Sequence, residues 1–395
     1  MAQAQILRDA PADALAIDEV RAFPVSVPLP EHARVMLGVG TTVKRDAVIV
    51  RVRTKGGLTG WGEAHHGRAP RAIAAIVNDT LAEVLEGQDA CDAVALNARM
   101  ARAAQLTQGS GAAAALAISG IDIALWDLRA KAVNWPLCRL LGGAPKPVMA
   151  YAGGVALCWE EPAALVEEAR GLVAEGYRAV KQRVGQDVAR DAGRLRALRE
   201  ALGPDITILA DANSLYRMDD VRRIMPVLGE CAVGWLEEPF MPQESRLYRD
   251  AAALATVPLA AGENLFTRQE FRRLIEDGAV CEIQPDLSKA GGLTECLRIA
   301  GLALANGLVV HPHASMTALN AAATLHLLSA VENGGFLEAD VSRYNSLRDD
   351  LVSGAPVIGA DGTFRATEAP GLGVEVSEEF IREHPPITGS AYRRA

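Results

Sequence analysis

The feature that most constrains this chain is a cadence. Between about residue 177 and residue 340, seven short apolar stretches recur: "YRAVKQRV", "DITILAD", "VGWLEE", "PLAAGE", "VCEIQPD", "GLVVHPH" and "GGFLEAD". Helical patterns such as "TECLRIAGLALANG" separate them, and "EEPAALVEEARGLVAEG" precedes the first. Strand followed by helix, repeated, demands parallel strands joined by crossovers. A closed barrel of such units, typically about 250 residues with its loops, is the leading architecture, and a doubly wound open sheet is the second. Each stretch ends in a polar group. Lys181 (with Arg183), Asp211, Glu237, Glu263, Asp286, His313 and Glu338 follow one another at spacings of 30, 26, 26, 23, 27 and 25 residues. Each spacing is one strand-helix unit, so in a barrel these side chains ring the C-terminal mouth, where such folds keep their active sites.

The residue types at the mouth carry chemistry. In "AVKQRV" the alternation of a strand puts Lys181 and Arg183 on one face. A single acid after a strand is usually a helix cap, but Asp211, Glu237 and Glu263 end three consecutive strands. Carboxylates brought to one place repel, and burial raises the cost. A hard divalent cation resolves the conflict, and oxygen ligands suit magnesium. The thiolates or multiple histidines that zinc prefers are missing from these positions.

With 395 residues the chain has room for a large domain and a smaller one. Residues 1–16 read as a loose tail, without the basic start and apolar core of a signal peptide. Residues 17–145 mix elements: "IDEVRAFPVSVPL" alternates like a strand, "DAVIVRVRTKGGLTGWGEA" reads as a hairpin, and helical patterns run from about Arg71 to Leu141. "LLGGAPKPV" then breaks the pattern, so the barrel is placed over 146–355, with 356–395 returning to the first domain. "SGAAAALAISGIDIALWDLRAKA" is interrupted by Asp122, Asp127 and Arg129, and reads as a buried helix, not a membrane span. A formal net charge of −9 argues against nucleic acid or an anionic membrane as partner. Six scattered cysteines without a CxxC pair read as small buried hydrophobes in a reducing, cytoplasmic setting.

Together "KQR", "DAN", "WLEEP", "GEN", "QPDLSKAGG", "HPH" and "FLEAD", with "GIDIALWDLRAK" and "LLGG" upstream, resemble the enolase superfamily in its mandelate racemase subgroup. The resemblance runs from about Ile17 to "PGLGVEV". It implies an α/β fold: a (β/α)7β modified TIM barrel under an α+β capping domain formed by the N-terminal part and the C-terminal tail. It also implies magnesium-assisted removal of the proton next to a carboxylate, with one ion per active site held by Asp211, Glu237 and Glu263. His313 matches the acid/base, Asp286 its hydrogen-bonded partner, Glu338 a residue that bonds the substrate carboxylate, and Lys181 an electrostatic stabiliser. Glu238 falls on the opposite face, in a salt bridge or cap, and Lys289 reads as a loop cation. The expected ligand is a small-molecule carboxylate, and the expected state a homo-oligomer, from dimer to octamer.

Two positions depart from the family's patterns. The subgroup commonly carries a base lysine where this chain has Arg183, and guanidinium holds its proton above about pH 12. It is a poor base and a good clamp for carboxylate or hydroxyl. The muconate-cycloisomerase-like enzymes usually carry a base lysine where this chain has Asp286. One base on one face disfavours racemisation and suits dehydration of a sugar acid to a 2-keto-3-deoxy acid. A racemase or epimerase comes second, a lactone cycloisomerase third, and a metal-keeping binding barrel without turnover is the reading outside enzymes. Substrate identity is assigned to a probable lid, "PEHARVMLGVGTTVK", with His32, Arg34 and Lys44, and to "GEAHHGRAP", with His65, His66 and Arg68. Asn213 of "DAN" and His311 of "HPH" are further substrate-side candidates, although His311 also reads as a satisfied core histidine.

Overall fold

The computed structural model describes residues 13–38, 40–107, 109 and 111–393. Three long strands open the chain: β1 (Ile17–Pro28), β4 (Lys44–Thr54) and β5 (Thr59–Ala64), antiparallel in the order β1-β4-β5. The expected Lys-Gly-Gly turn joins β4 and β5. Between β1 and β4 lies a small hairpin of β2 (Met36–Leu37) and β3 (Gly40–Thr42). The sheet packs on the helix Ala112–Ala132, which is buried along most of its length. Among the described residues no helix is long and apolar enough to cross a membrane. The charges that interrupt this helix are hooks to the rest of the molecule. Asp122 accepts from Asn97 Nδ2 and from the Thr294 backbone N–H, both at 2.8 Å. Asp127 accepts the backbone N–H groups of Trp61 and Leu372, at 2.9 and 2.8 Å.

The second part is the barrel. Its parallel strands are β6 (Val148–Gly153), β7 (Ala179–Arg183), β8 (Thr207–Asp211), β9 (Leu236–Glu237), β10 (Leu259–Ala261), β11 (Glu282–Ile283), β12 (Val309–Val310) and β13 (Leu337–Asp340). They run in the order β12-β11-β10-β9-β8-β7-β6-β13, and a parallel bridge between Val310 and Gly334 joins the two ends. The closed ring with its capping part is the expected architecture, and the open sheet is excluded. β6 is the strand that no polar ending announced. Its end, Gly153, lies where a Cβ would sit 2.5 Å from Glu338 Oε1, so β6 leaves its share of the mouth to a neighbour's carboxylate.

Side chains alternate along every strand. Tyr151, Ala179, Leu209, Trp235 and Ala260 point inward and pack together with Phe336 as an apolar floor. One pleat higher, Lys181, Asp211, Glu237 and Glu338 point into the same space. The period of two thus separates a dry floor from a charged mouth.

The first and last described residues are tied in. Residues 1–12 of the expected loose tail lie outside the described residues, whereas Ala16 bridges Asp89 and Ala14 accepts the Gly56 N–H. Thr363–Phe364 pairs with β6, and Tyr392–Arg393 pairs with β3. The C-terminal segment therefore touches both parts. Cys138, Cys158, Cys231 and Cys296 are buried and Cys281 is exposed.

Candidate active site

The cations of β7 meet the acids of the neighbouring strands. Register places Arg183 opposite Asp211, and Asp211 opposite Glu237. Lys181 Nζ lies 2.8 Å from Glu237 Oε1, 3.1 Å from Glu338 Oε1 and 3.3 Å from Asp211 Oδ2, above the Tyr151 ring. Burial would lower its pKa, but Glu237 and Glu338 overcome that and hold it well above the ordinary value. In this arrangement Lys181 is a cation held among three carboxylates. Arg183 differs from expectation. Its fork is committed to protein acceptors: Asp211 Oδ2, Asn213 Oδ1 at 3.1 Å and the Gly154 carbonyl at 2.7 Å. In this arrangement it braces the mouth and does not present a free clamp. Asn213, in turn, is occupied with Arg183 and, through its backbone N–H, with Asp211 Oδ1 at 2.8 Å.

The opposite side is arranged differently. His313 Nδ1 lies 2.7 Å from Asp286 Oδ2. Asp286 Oδ1 accepts from the Ser288 N–H and Oγ, both at 2.7 Å, and from Asn320 Nδ2 at 3.1 Å. A carboxylate so supplied with donors stays an acceptor for Nδ1–H, which holds the imidazole in the tautomer whose Nε2 faces the mouth. Nε2 points into the mouth, 2.9 Å from Glu263 Oε2 and 3.8 Å from Glu338 Oε2. Burial would lower the His313 pKa, but Glu263 and Glu338 overcome it and push it well above the usual histidine range. Glu338 sits between the two sides. Burial would raise it, but Lys181 and then His313 hold it down at about 2. It accepts from Lys181 and from the backbone N–H groups of Gly154 and Ala314.

The three expected metal ligands stand at the ends of adjacent strands but do not converge. Among the described residues, no three His, Cys, Asp or Glu side chains come close enough together to hold a metal ion. The reason is charge: Asp211 and Glu237 turn to Lys181 and Arg183, and Glu263 turns to His313. The donor set nevertheless fits a hard divalent cation. Carboxylates crowd the mouth enough that burial and Asp211 hold Glu237 up at about 7. Glu238, beside Glu263, is held up at about 8 by burial and by that neighbour. Its Oε1 has no hydrogen-bond partner among the described residues. Asn264 and Ser214 bond its other oxygen, so the expected salt bridge gives way to neutral partners. Lys289 is no exposed loop cation either. Its side chain is 8% exposed and its Nζ lies 4.0 Å from Glu263 Oε1, facing the site.

The substrate-side candidates divide. His32 Nε2 meets Tyr344 Oη at 2.8 Å, and Arg34 bonds the Leu29 carbonyl at 3.3 Å. Both border a cavity of about 1290 Å³ that opens on the Glu338 side of the mouth and is also reached by His66 and Asp340. The β2-β3 hairpin is seated on the barrel: a Cβ on Gly38 would stand 2.0 Å from Leu215 Cδ1, in the loop after β8. Lys44 also borders this cavity, but its Nζ is engaged by Asp46 at 3.0 Å and the Ile387 carbonyl at 2.7 Å. His65 and His66 stack at 4.2 Å, and each Nδ1 accepts a backbone N–H, from Gly67 and Arg68 respectively. Burial depresses both, His66 to about 4, so each ring is neutral with its proton on Nε2. Arg68 turns away, over the Tyr392 ring at 5.2 Å. His311 belongs to the floor: Glu282 holds Nε2 at 2.9 Å, the Phe336 N–H meets Nδ1, and Trp235 packs beside it.

Some contributors were not anticipated. Gln284 Nε2 and Trp235 Nε1 donate to Glu237 Oε2, at 2.8 and 3.2 Å. Gln284 sits two residues before Asp286 in "QPD", so alternation placed it on the same face and offered a usable signal. Asn320, in a helix behind the dyad, and Glu63, in the capping part, offered none.

Comparison with known proteins points to one family. The model described as mandelate racemase / muconate lactonizing enzyme, N-terminal domain, matches residues 19–142. The model described as enolase C-terminal domain-like matches residues 164–380. A member of the enolase superfamily from Polaromonas sp. JS666 superposes with a TM-score of 0.92 at 48% identity, over 96% of this chain and 100% of that one. A racemase from Streptomyces coelicolor A3(2) with bound magnesium superposes with a TM-score of 0.85 at 29% identity, over 93% and 99%. D-galactonate dehydratase from Klebsiella pneumoniae (strain 342) is 33% identical over 353 residues, 85% of this chain and 90% of its own length.

Proposed function

This chain belongs to the mandelate racemase/muconate lactonizing enzyme family, and from that premise we propose that it is a dehydratase of polyhydroxylated sugar acids. The observation that carries the reading is the asymmetry of the mouth: one aligned base, His313 on Asp286, faces two cations that keep their protons. The dehydratase relative supports the same direction.

The proposed cofactor is magnesium, one ion per site, on Asp211, Glu237 and Glu263. When bound it supplies electrostatic stabilisation to the charge that gathers on the substrate carboxylate as the α-proton leaves. The chain's own groups do the rest. His313 Nε2 takes the C2 proton, and Asp286 keeps Nδ1–H in place and steadies the imidazolium. Lys181 stays protonated and offsets the second negative charge. The C3 hydroxyl leaves as water with a proton that His313 returns when that hydroxyl lies on its face. The resulting enol tautomerises to the 2-keto-3-deoxy acid. His32, Arg34, His65, His66 and Lys289 line the approach and select hydroxyls. Residues 17–145 act as the capping unit, 146–355 as the barrel and 356–395 as the segment that fastens one to the other. A cytoplasmic homo-oligomer is the proposed working state.

The test is to incubate the magnesium-loaded protein with a panel of aldonic and aldaric acids and assay 2-keto acid formation. At least one acid should give a 2-keto-3-deoxy product. If the panel yields only C2 epimers, or lactone opening without keto acid, the isomerase reading replaces this one.

A further inference from the structure

Behind the His313-Asp286 pair lies a knot of side chains that reaches into the capping part. Glu63, on β5, is fully buried. Thr317 Oγ1 donates to Glu63 Oε2. Thr317 is also the N-cap of the helix Ala318–Ala330, where its side chain accepts the N–H groups of Leu319 and Asn320. Asn320 donates Nδ2 to Asp286 Oδ1 at 3.1 Å. Two oxygens in this knot, Glu63 Oε1 and Asn320 Oδ1, have no donor among the described residues.

A buried carboxylate with an unmet oxygen and no cation beside it is costly. Burial acts most strongly on Glu63, ahead of Thr317, Asp286, Asn320 and His313, and pushes its pKa well above the usual carboxylate range. A protonated carboxyl carries one O–H donor, which is what a knot with two unmet acceptors lacks. It also avoids placing a second anion behind Asp286.

We propose that Glu63 is a positioning residue for the acid/base pair: from the capping part it fixes Thr317 and the start of the helix that carries Asn320, and through Asn320 the orientation of Asp286 behind His313. The capping part then does more than enclose substrate. Its docking completes the base, so one closed contact assembles both the pocket and the group that acts in it. This inference rests on the reading of His313 as the acid/base and not on the identity of the substrate.

The experiment uses the full magnesium-loaded chain with 15N-labelled histidine. The sequence holds seven histidines, and H313N assigns the signal of interest. At a pH high enough to leave His313 neutral, the wild type should show it as a single tautomer protonated at Nδ1. E63Q, which keeps a donor and adds no charge, should preserve that signature, whereas E63A should lose it and show mixed tautomers. With whichever acid the protein turns over, E63A should lower kcat on the order of 10²-fold, the scale of a misplaced reacting group, with KM within about threefold of wild type. E63Q should restore most of kcat. Should E63A fail to fold, T317V decides, since it removes the hydroxyl that joins Glu63 to the helix and should also release the tautomer. An unchanged His313 signal in E63A or T317V overturns the proposal. So does a loss in E63Q as large as in E63A, which would make the charge of Glu63 the working feature. The signal is read without substrate, so failure of the sugar-acid reading leaves this test intact.

Discussion

The two sides of the barrel mouth hold comparable charge and use it differently. On the β7 side, Lys181 and Arg183 are each shared among several acceptors, and every contact strengthens their hold on their protons. Breaking a buried pair of this kind costs about 3–5 kcal/mol. On the β12 side, Asp286 anchors His313 at Nδ1, while Nε2 faces the mouth and meets Glu263, one of the carboxylates proposed to hold the ion. Asp286 is itself held by Ser288 and Asn320. Cations that never release their protons, shared among several acceptors, make a stationary field, whereas an imidazole anchored at Nδ1 with Nε2 toward the mouth makes a group that moves a proton. Residue type and the placement of partners together separate an electrostatic wall from a base.

The contrast can be broken from the acid side first. Chelation should abolish turnover, and magnesium should restore it better than zinc. Glu237→Gln should lose metal affinity, measured by calorimetry, and all measurable activity while keeping its circular dichroism. Activity in a metal-free preparation would dismiss the ligand assignment.

Next comes the base. His313→Asn should lower kcat by about 10³–10⁴-fold, since the opposite side offers no replacement. Asp286→Asn should fall somewhat less, through the wrong tautomer. Near-normal steady-state rates in either variant would erase the distinction between the two sides.

A smaller effect is expected at Arg183. Arg183→Lys cannot reach Asp211, Asn213 and Gly154 at once, so kcat/KM should fall about tenfold. In heavy water the wild type should exchange the α-proton on one face alone. NMR of recovered substrate checks this, and rapid appearance of the C2 epimer would give the β7 side a base after all.

The smallest effect concerns the fold and not the rate. His326 is a buried histidine without carboxylate neighbours: Nδ1 accepts the Cys138 N–H, and Nε2 donates to the Leu372 carbonyl. Burial holds its pKa at about 4, against an ordinary 6.5. As pH falls, the unfolded chain takes up this proton first, so stability is full above about pH 6.5 and is lost toward pH 4. The loss is at most about 3 kcal/mol. Urea denaturation at pH 7 and pH 4.5 should show it, and His326→Gln should flatten the difference. An equal slope in that variant would assign the acid loss to other groups.

What the sequence determined by itself is whatever repeats or alternates. The spacing of strand ends placed Asp211, Glu237, Glu263, Asp286, His313 and Glu338 around one ring, because one strand and one helix take a nearly constant length. Period two put Lys181 and Arg183 on one face, and the motif resemblance paired His313 with Asp286. The tertiary structure alone decided whom each group meets. Arg183 braces Asp211 where a free clamp was expected. Lys44 is claimed by Ile387, 343 positions away, and Arg68 is claimed by Tyr392. β6 went unannounced because it ends in a glycine pressed against Glu338. Glu63 reaches Thr317 across 254 positions, from the capping strand to a barrel helix. Local periodicity fixes the direction in which a side chain points. Its partners are set by long-range packing, which brings distant segments within hydrogen-bond reach and leaves no periodic trace along the chain.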